Sequence, residues 1–265
     1  MRVNEDLAIS TSKILLVPYD PHHVERYHQW MQNEDLREAT ASDLLTLDEE
    51  YENQQSWRTA HDKLTFIVCQ PANAGPSAAS SIHAGVDDAP PCMAGDVNLF
   101  LTPDEVDNNN NNKNNDGGEN AICGEIDIMI AAPEHRRRGR GEAAVRAFLR
   151  FLAGNLDAVM REYARGAVSS SARNHDMRLT KLVAKINAEN AGSIRLFENL
   201  GFRQDGEPNY FNEISMVLAD FPATTAAVGA VPGAVDLGPG LGVAVEEAGS
   251  VGYRECFYDR SQLKK

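Results

Sequence analysis

The segment EHRRRGRGE at residues 134–142 has the clearest capacity for chemistry, because it crowds four arginines into a chain of formal net charge -14. Guanidinium groups present forked donors that match phosphate oxygens, and Gly139 and Gly141 allow the backbone to approach a ligand closely. A helix predicted to begin at Arg140 or Gly141 adds unpaired amides and the positive end of its dipole. The segment therefore favours a pyrophosphate ligand.

Taken alone, the segment also fits a basic patch for nucleic acid or localisation, or an ordinary solvated charge run. The phosphate fingerprints GxxxxGK[ST] and GxGxxG are absent, and the pattern present is RxxGxG, formed by Arg136, Gly139 and Gly141. A sequence pI of about 4.9 argues against a general nucleic-acid coat and against binding to anionic membrane surfaces. We therefore expect neither nucleic acid nor a membrane as a partner.

The strand predicted at 121–131, just before this segment, carries carboxylates on one face. Its alternating residues are Ile126, Ile128 and Ile130 on one side and Glu125, Asp127 and Met129 on the other. In the strand predicted at 92–101, Asp96 and Asn98 alternate with apolar residues in the same way. These two residues fit a polar cleft and ordinary strand-edge positions equally well.

The hydrophobic pattern predicts the elements that must position these groups. Strands are predicted at 13–20, 64–70, 92–101, 121–131, 181–186 and 209–218, and helices at 21–32, 46–60, after the Arg/Gly segment, and at 190–202. Thr46 and Glu49 form a capping box, Asn190 or Asn187 caps the last helix, and Gly201 suits a left-handed position at its end. The order β-α-α-β-β-β-α-β-α-β predicts an α/β fold with helices on both faces of a mixed sheet.

Residues 1–221 are predicted to form one domain with loop insertions at about 71–91, 107–120 and 155–178. Residues 222–265 are rich in Ala, Gly and Pro, which predicts a flexible tail, although the YRECFYDR stretch near its end could dock onto the domain. The four cysteines contain no CxxC pair and are interpreted as reduced core thiols, with no metal site. Without a secretory signal or a long apolar run, the sequence predicts a soluble protein of the cytoplasm or nucleus.

The segment NAGSIRLFENLGF at 190–202 follows the RxxGxG pattern by about 50 residues, and the pair resembles the GCN5-related N-acetyltransferase (GNAT) superfamily. There the first pattern binds the pyrophosphate of acetyl-CoA, and the second forms the other wall of the cofactor cleft. Most of residues 1–218, apart from the insertions, is similar to the N-acetyltransferase 9-like branch, in segments such as LVPYDPHHVERYHQWM and GEIDIMIAAPEHRRRGRG. The resemblance implies a mostly antiparallel central sheet, helices on both faces and a splayed cofactor cleft.

The resemblance also implies roles for individual residues. The implied cofactor contacts are Met129, Ile130, Ala131, Arg136, Arg137, Arg138, Gly139, Arg140, Gly141, Glu142, Asn190, Ser193 and Phe197. The backbone N–H of Met129 is predicted to hold the acetyl carbonyl as an oxyanion donor. Because an acceptor amine must lose a proton before it attacks, a base is required, and Glu125 is the predicted base with Asp127 as the alternative.

One position departs from the family pattern. Many relatives carry a tyrosine where this chain has Phe197, and a phenol there can protonate the leaving thiolate. Tyr210 is the candidate for a substitute acid, against the simpler interpretation of a core or edge aromatic residue.

The sequence therefore predicts an enzyme, an N-acetyltransferase that moves acetyl from acetyl-CoA directly to an amine. The acceptor is predicted to be a protein or peptide amine, either N-terminal or lysine. Two alternatives remain open: a catalytically weak GNAT-fold binding or scaffold protein, for example on cytoskeletal partners, and a small-molecule amine acetyltransferase.

Overall fold

The computed structural model describes residues 1–72, 81–104, 120–166, 177–219, 221 and 252–263. The strands are β1 (Leu7–Ser10), β2 (Leu15–Pro18), β3 (Lys63–Cys69), β4 (Ser81–His83), β5 (Met93–Pro103), β6 (Ala121–Ile130), β7 (Arg178–Asn187), β8 (Arg203–Asp205), β9 (Glu213–Ala219) and β10 (Arg254–Asp259). The helices are α1 (Val24–Met31), α2 (Glu34–Ala39), α3 (Leu47–Thr59), α4 (Arg140–Gly166) and α5 (Ala191–Asn199). None of these helices is long and apolar enough to cross a lipid bilayer.

The ten strands form one mixed sheet in the order β4-β10-β1-β2-β3-β5-β6-β7-β9-β8. The β6–β7 and β10–β4 pairs are parallel and the remaining pairs are antiparallel. One face of the sheet packs on α4 through residues such as Phe148 and Phe151, and the other packs on α1 through Trp30 and Met31. This architecture confirms the predicted mixed, mostly antiparallel sheet with helices on both faces.

Local capping signals set the helix boundaries. The Thr46 side chain accepts from the N–H of Glu49, and the Glu49 carboxylate accepts from the N–H of Thr46, so the predicted capping box of α3 is present. Asn190 caps α5 by accepting from the N–H of Ser193 at 3.1 Å. Gly201 follows the end of α5 with a φ of 94°, as its predicted left-handed position requires.

Helix α4 is longer than the sequence pattern predicts. It continues through Gly166, so the insertion predicted at 155–178 cannot begin at residue 155. The added turns bury Val159, Met160 and Tyr163, whose spacing continues the apolar stripe of the helix. Of the other insertions, 71–91 contains β4, and 107–120 lies outside the described residues except for its last position.

The predicted C-terminal tail contains a strand of the domain. Strand β10 pairs antiparallel with β1, with Leu7 opposite Phe257, and parallel with β4. The ring of Tyr258 is fully buried, and its hydroxyl donates to the carboxylate of Asp88, which is also fully buried. Residues 222–250 lie outside the described part of the chain, so the predicted flexibility there stays a prediction.

Asp88 joins three parts of the chain. Besides Tyr258, its Oδ2 contacts His22 Nε2 at 3.2 Å and His23 Nε2 at 3.0 Å. His23 Nδ1 accepts from the N–H of Asp20, so its Nε2 carries the ring proton and donates to Asp88. Burial alone would raise the pKa of Asp88, but hydrogen bonds from both histidines and Tyr258 outweigh it and hold that pKa well below its usual range.

We expect Tyr258→Phe to lower the free energy of unfolding by about 1.5–3 kcal/mol, the usual contribution of a hydrogen bond to a charged group. The matched control is Tyr253→Phe, because the Tyr253 hydroxyl donates to Glu255 at an exposed site. Urea denaturation followed by circular dichroism measures both. An equal change in the two variants would show that Asp88 does not hold β10 in place.

Candidate active site

Strands β6 and β7 separate in the middle of the sheet. Their pairing ends at Glu125 and Val183, although β6 continues to Ile130 and β7 to Asn187. The rest of β7 remains paired with β9. The described residues therefore leave a gap between two central strands, as the predicted splayed cleft requires.

The hydrogen-bond pattern of β6 determines which of its amides face this gap. Ala131 donates to Ala94 at one end of the β5–β6 ladder, and Asp104 donates to Ala121 at the other end. The register between these ends has no shift. Since opposed residues of an antiparallel ladder alternate between bonded and non-bonded pairs, the odd-numbered residues of β6 bond to β5.

This alternation corrects the prediction for Met129. Its N–H points toward β5, where Met129 lies opposite Asp96, and is not available to an acetyl carbonyl in the gap. The N–H groups of Ile128 and Ile130 point toward the gap. Asn120, which has the same parity, accepts from Arg178 of β7 and supports this direction. Sequence alternation alone assigns side chains to faces of a strand but does not assign amides to its edges.

The Arg/Gly segment forms a turn that leads into α4. Gly139 has a φ of 70°, which favours glycine, and its carbonyl accepts from the N–H of Ala143. The amides of Arg140, Gly141 and Glu142 precede the first bonded amide, so they are free to bind an anion. The ammonium of Lys13 lies 3.6 Å from where a Cβ on Gly139 would stand, a cation that sequence reasoning did not connect with this loop.

The side chains of this segment have different roles. Arg136 donates to the carbonyls of Ile130 and Ala131, at 2.8 and 3.1 Å, so it supports the end of β6. Arg137 has a φ of 57°, a backbone conformation that is uncommon for a residue with a side chain. The Glu142 carboxylate pairs with Arg146 at 2.9 Å, one turn along α4, and leaves the helix N-terminus to its amides.

Gly141 lies where α4, α5 and the end of β6 meet. A Cβ placed there would stand 3.2 Å from Leu196, 3.7 Å from Ile130 and 3.9 Å from Ile128. The absence of a side chain at this position therefore keeps the gap open beside the free amides. This contact links the RxxGxG pattern to α5, the two segments on which the family resemblance rests.

The remaining predicted cofactor contacts lie on α5, and the predicted acid lies in the turn before β9. Asn190 and Ser193 lie in the first turn of α5, with the Asn190 side chain used as the helix cap. Phe197 is 2% exposed and packs edge-to-face on Phe202 at 5.0 Å, inside the hydrophobic core. Tyr210 is 95% exposed in the turn before β9, so it belongs neither to the core nor to the predicted strand.

The two candidate bases lie on the same face of β6 in different environments. Glu125 is held by Lys185 of β7, with Nζ and Oε2 2.7 Å apart. Asp127 has exposed surface, yet partial loss of hydration, followed by the negative charge of Glu125, raises its pKa to about 6. Asp127 can therefore exchange a proton near neutral pH, whereas Glu125 is engaged in the ion pair with Lys185. Sequence reasoning did not single out Lys185, because its partner lies on another strand.

Two buried polar side chains lie beside Asp127 on the neighbouring strand β5. Asn98 is directly opposite Asp127, and Asp96 is directly opposite Met129, so all four side chains share one face of the sheet. Asp96 and Asn98 are 2% and 6% exposed. They face inward beside Asp127 and are therefore not strand-edge groups.

The family model described as acetyltransferase (GNAT) domain matches residues 13–203. An N-acetyltransferase 9-like protein of Schizosaccharomyces pombe is 36% identical, covering 82% of this chain and 98% of that protein. Alpha/beta-tubulin-N-acetyltransferase 9 of Mus musculus is 37% identical, covering 83% of this chain and 73% of that protein. The structure of spermidine N-acetyltransferase from Vibrio cholerae in complex with CoA and spermine shares the fold at 15% identity, with a TM-score of 0.50 over 82% of this chain and 96% of that chain.

We expect Gly141→Ala to weaken acetyl-CoA binding about tenfold or more, because the added methyl group contacts Leu196 and narrows the gap. Gly154→Ala is the matched control in the same helix, since no atom lies within 4 Å of the Cβ position there. That control should retain binding and gain about 1 kcal/mol of stability from helix propensity. Isothermal titration calorimetry and thermal unfolding measure both effects, and equal affinities in the two variants would place the cofactor elsewhere.

Proposed function

Because the chain belongs to the GNAT acetyltransferase family and is an N-acetyltransferase that uses acetyl-CoA, we propose that it acetylates the N-terminal α-amine of a protein in the cytoplasm. The observation that carries this proposal is the position of the Asp127 carboxylate on β6 beside the gap, and its raised pKa of about 6 suits a general base. The name of the Mus musculus relative, alpha/beta-tubulin-N-acetyltransferase 9, supports a protein acceptor.

The ease of deprotonation favours an α-amine over a lysine. An α-ammonium group has an ordinary pKa near 8 and a lysine ammonium near 10.4. The two acceptors therefore differ by about 2.4 pKa units, whatever base removes the proton. At 1.36 kcal/mol per unit, this difference is about 3 kcal/mol in favour of the N-terminal amine.

In the proposed reaction, the groups around the gap act one after another. The free amides at the start of α4 bind the pyrophosphate, and an N–H of Ile128 or Ile130 holds the acetyl carbonyl. Asp127 takes a proton from the acceptor ammonium, and the amine nitrogen then attacks the acetyl carbon. A new C–N bond forms and the thioester C–S bond breaks, the nitrogen loses its second proton to solvent, and the CoA thiolate takes a proton from solvent. The ion pair with Lys185 keeps Glu125 in place beside this path.

A panel of acceptors with labelled acetyl-CoA tests the proposal. It contains N-terminal peptides, including those of α- and β-tubulin, lysine peptides with blocked N-termini, and spermidine. We expect label on the free N-terminal peptides, at rates well above those of the blocked lysine peptides. Transfer to spermidine alone would replace the proposal with a small-molecule acetyltransferase, and acetyl-CoA binding without any transfer would favour a binding or scaffold protein.

We expect Asp127→Asn to lower kcat/KM by about 100-fold or more, the usual range for removal of a general base. In the native enzyme kcat/KM should rise with pH through about 6, because the carboxylate form of Asp127 is the active one. The variant should lose this rise while binding acetyl-CoA normally. Glu125→Gln should cause a smaller loss and keep the rise, whereas the reverse pattern would make Glu125 the base.

A further inference from the structure

Two buried side-chain oxygen atoms on β5 take no part in the proposed acetyl transfer. The Oδ2 of Asp96 accepts from Asn98 Nδ2 at 2.8 Å and from the Tyr27 hydroxyl at 3.3 Å. The Oδ1 atoms of Asp96 and Asn98 are buried and have no hydrogen-bond partner within the described part of the chain. An unpaired buried acceptor is costly, so two of them side by side indicate a place for a ligand with several donors.

These oxygens lie on the same face of the sheet as Asp127, the proposed base. Asn98 pairs directly with Asp127 across the β5–β6 ladder, and side chains in such a pair lie about 5 Å apart at Cβ. Asp127 has exposed surface, whereas Tyr27 covers Asp96 from α1. A ligand would therefore reach the two oxygens from the side of Asp127, where the proposed base takes its proton.

The charge of the cluster selects for a cation. Burial raises the pKa of Asp96 to about 7, and the charged group that acts most strongly on it is Asp127, a second carboxylate. The nearby Lys185 is engaged by Glu125. On the other side, the Tyr27 ring lies 5.4 Å from Tyr19 and 6.1 Å from Trp30, and aromatic surfaces also attract cations.

We propose that Asp96 Oδ1 and Asn98 Oδ1, together with Asp127, form a subsite that holds the ammonium group of the acceptor before its proton is removed. A primary ammonium has three N–H donors, one for each of the three side chains. The subsite rests on the proposed N-terminal acetylation and specifies how that acceptor is recognised. Asp96 and Asn98 are specificity-determining residues in this scheme, and Asp127 remains the base.

A purely structural role is the rival explanation. A protonated Asp96 could pair with the Asn98 amide and satisfy both oxygens within the fold. In that case the cluster would contribute to stability but would not distinguish an acceptor with an amine from one without it. The two explanations therefore differ in a binding measurement.

The experiment compares an N-terminal peptide with its des-amino analogue, which lacks only the amine, by competition binding to the full chain saturated with CoA. The native protein should bind the amine form about tenfold or more tightly, as expected for hydrogen bonds to a charged group. Asp96→Asn should reduce this preference to less than about threefold while leaving the Kd for acetyl-CoA unchanged. Asp104→Asn is the matched control, because it makes the same change just beyond the other end of β5 and should keep the preference.

If Asp96→Asn does not fold, Asn98→Leu provides a second variant, in which the new side chain has a volume similar to that of asparagine. Acetyl-CoA binding checks that either variant is folded. Retention of the amine preference in a folded variant would overturn the proposal, as would its absence in the native protein. The proposed function fails separately, if no peptide in the panel is acetylated. The subsite is then tested with hexylamine against hexanol, and a preference for the amine that depends on Asp96 would still support it.

Discussion

The parting of β6 from β7 beyond Glu125 and Val183 is the constraint on which the site depends. A continuous sheet would pair the amides of Ile128 and Ile130 with β7 and leave no room for a thioester. The gap costs the sheet several ladder hydrogen bonds, which a cofactor with amide groups can replace. Both sides of the gap are held by other contacts: β6 stays bonded to β5, β7 stays bonded to β9, and Arg136 binds the last carbonyl of β6.

Local signals predict much of this arrangement. The capping box of α3, the Asn190 cap and the left-handed Gly201 are properties of a few adjacent residues, and each occurs in the structure as the sequence indicates. The RxxGxG pattern likewise depends on a single turn and the helix that follows it. Such features can be predicted because the atoms that decide them lie within a few residues of one another.

Features decided by distant strands could not be predicted in this way. Strand β10 is recognised as a strand of the domain only from its pairing with β1 and β4. The three-residue β4 is too short to carry a periodic signal. The direction of the Met129 amide depends on hydrogen bonds to β5 at both ends of a ladder. The burial of Asp96 depends on Tyr27 from another element, so its alternation with apolar residues alone fits two interpretations.

Charge is divided along β6 between the end of the strand and one of its faces. The ammonium of Lys13 and the free amides of α4 lie near the end of the strand, at the proposed site for the anionic cofactor. The carboxylates of Asp96 and Asp127 lie on the face toward α1, where we propose that the acceptor amine binds. The two reactants carry opposite charges and meet at one point, so a site with a single sign of potential would repel one of them. A strand with an anion site at its end and a cation site on its face meets both requirements, and within it the basic loop is a local exception to a net charge of -14.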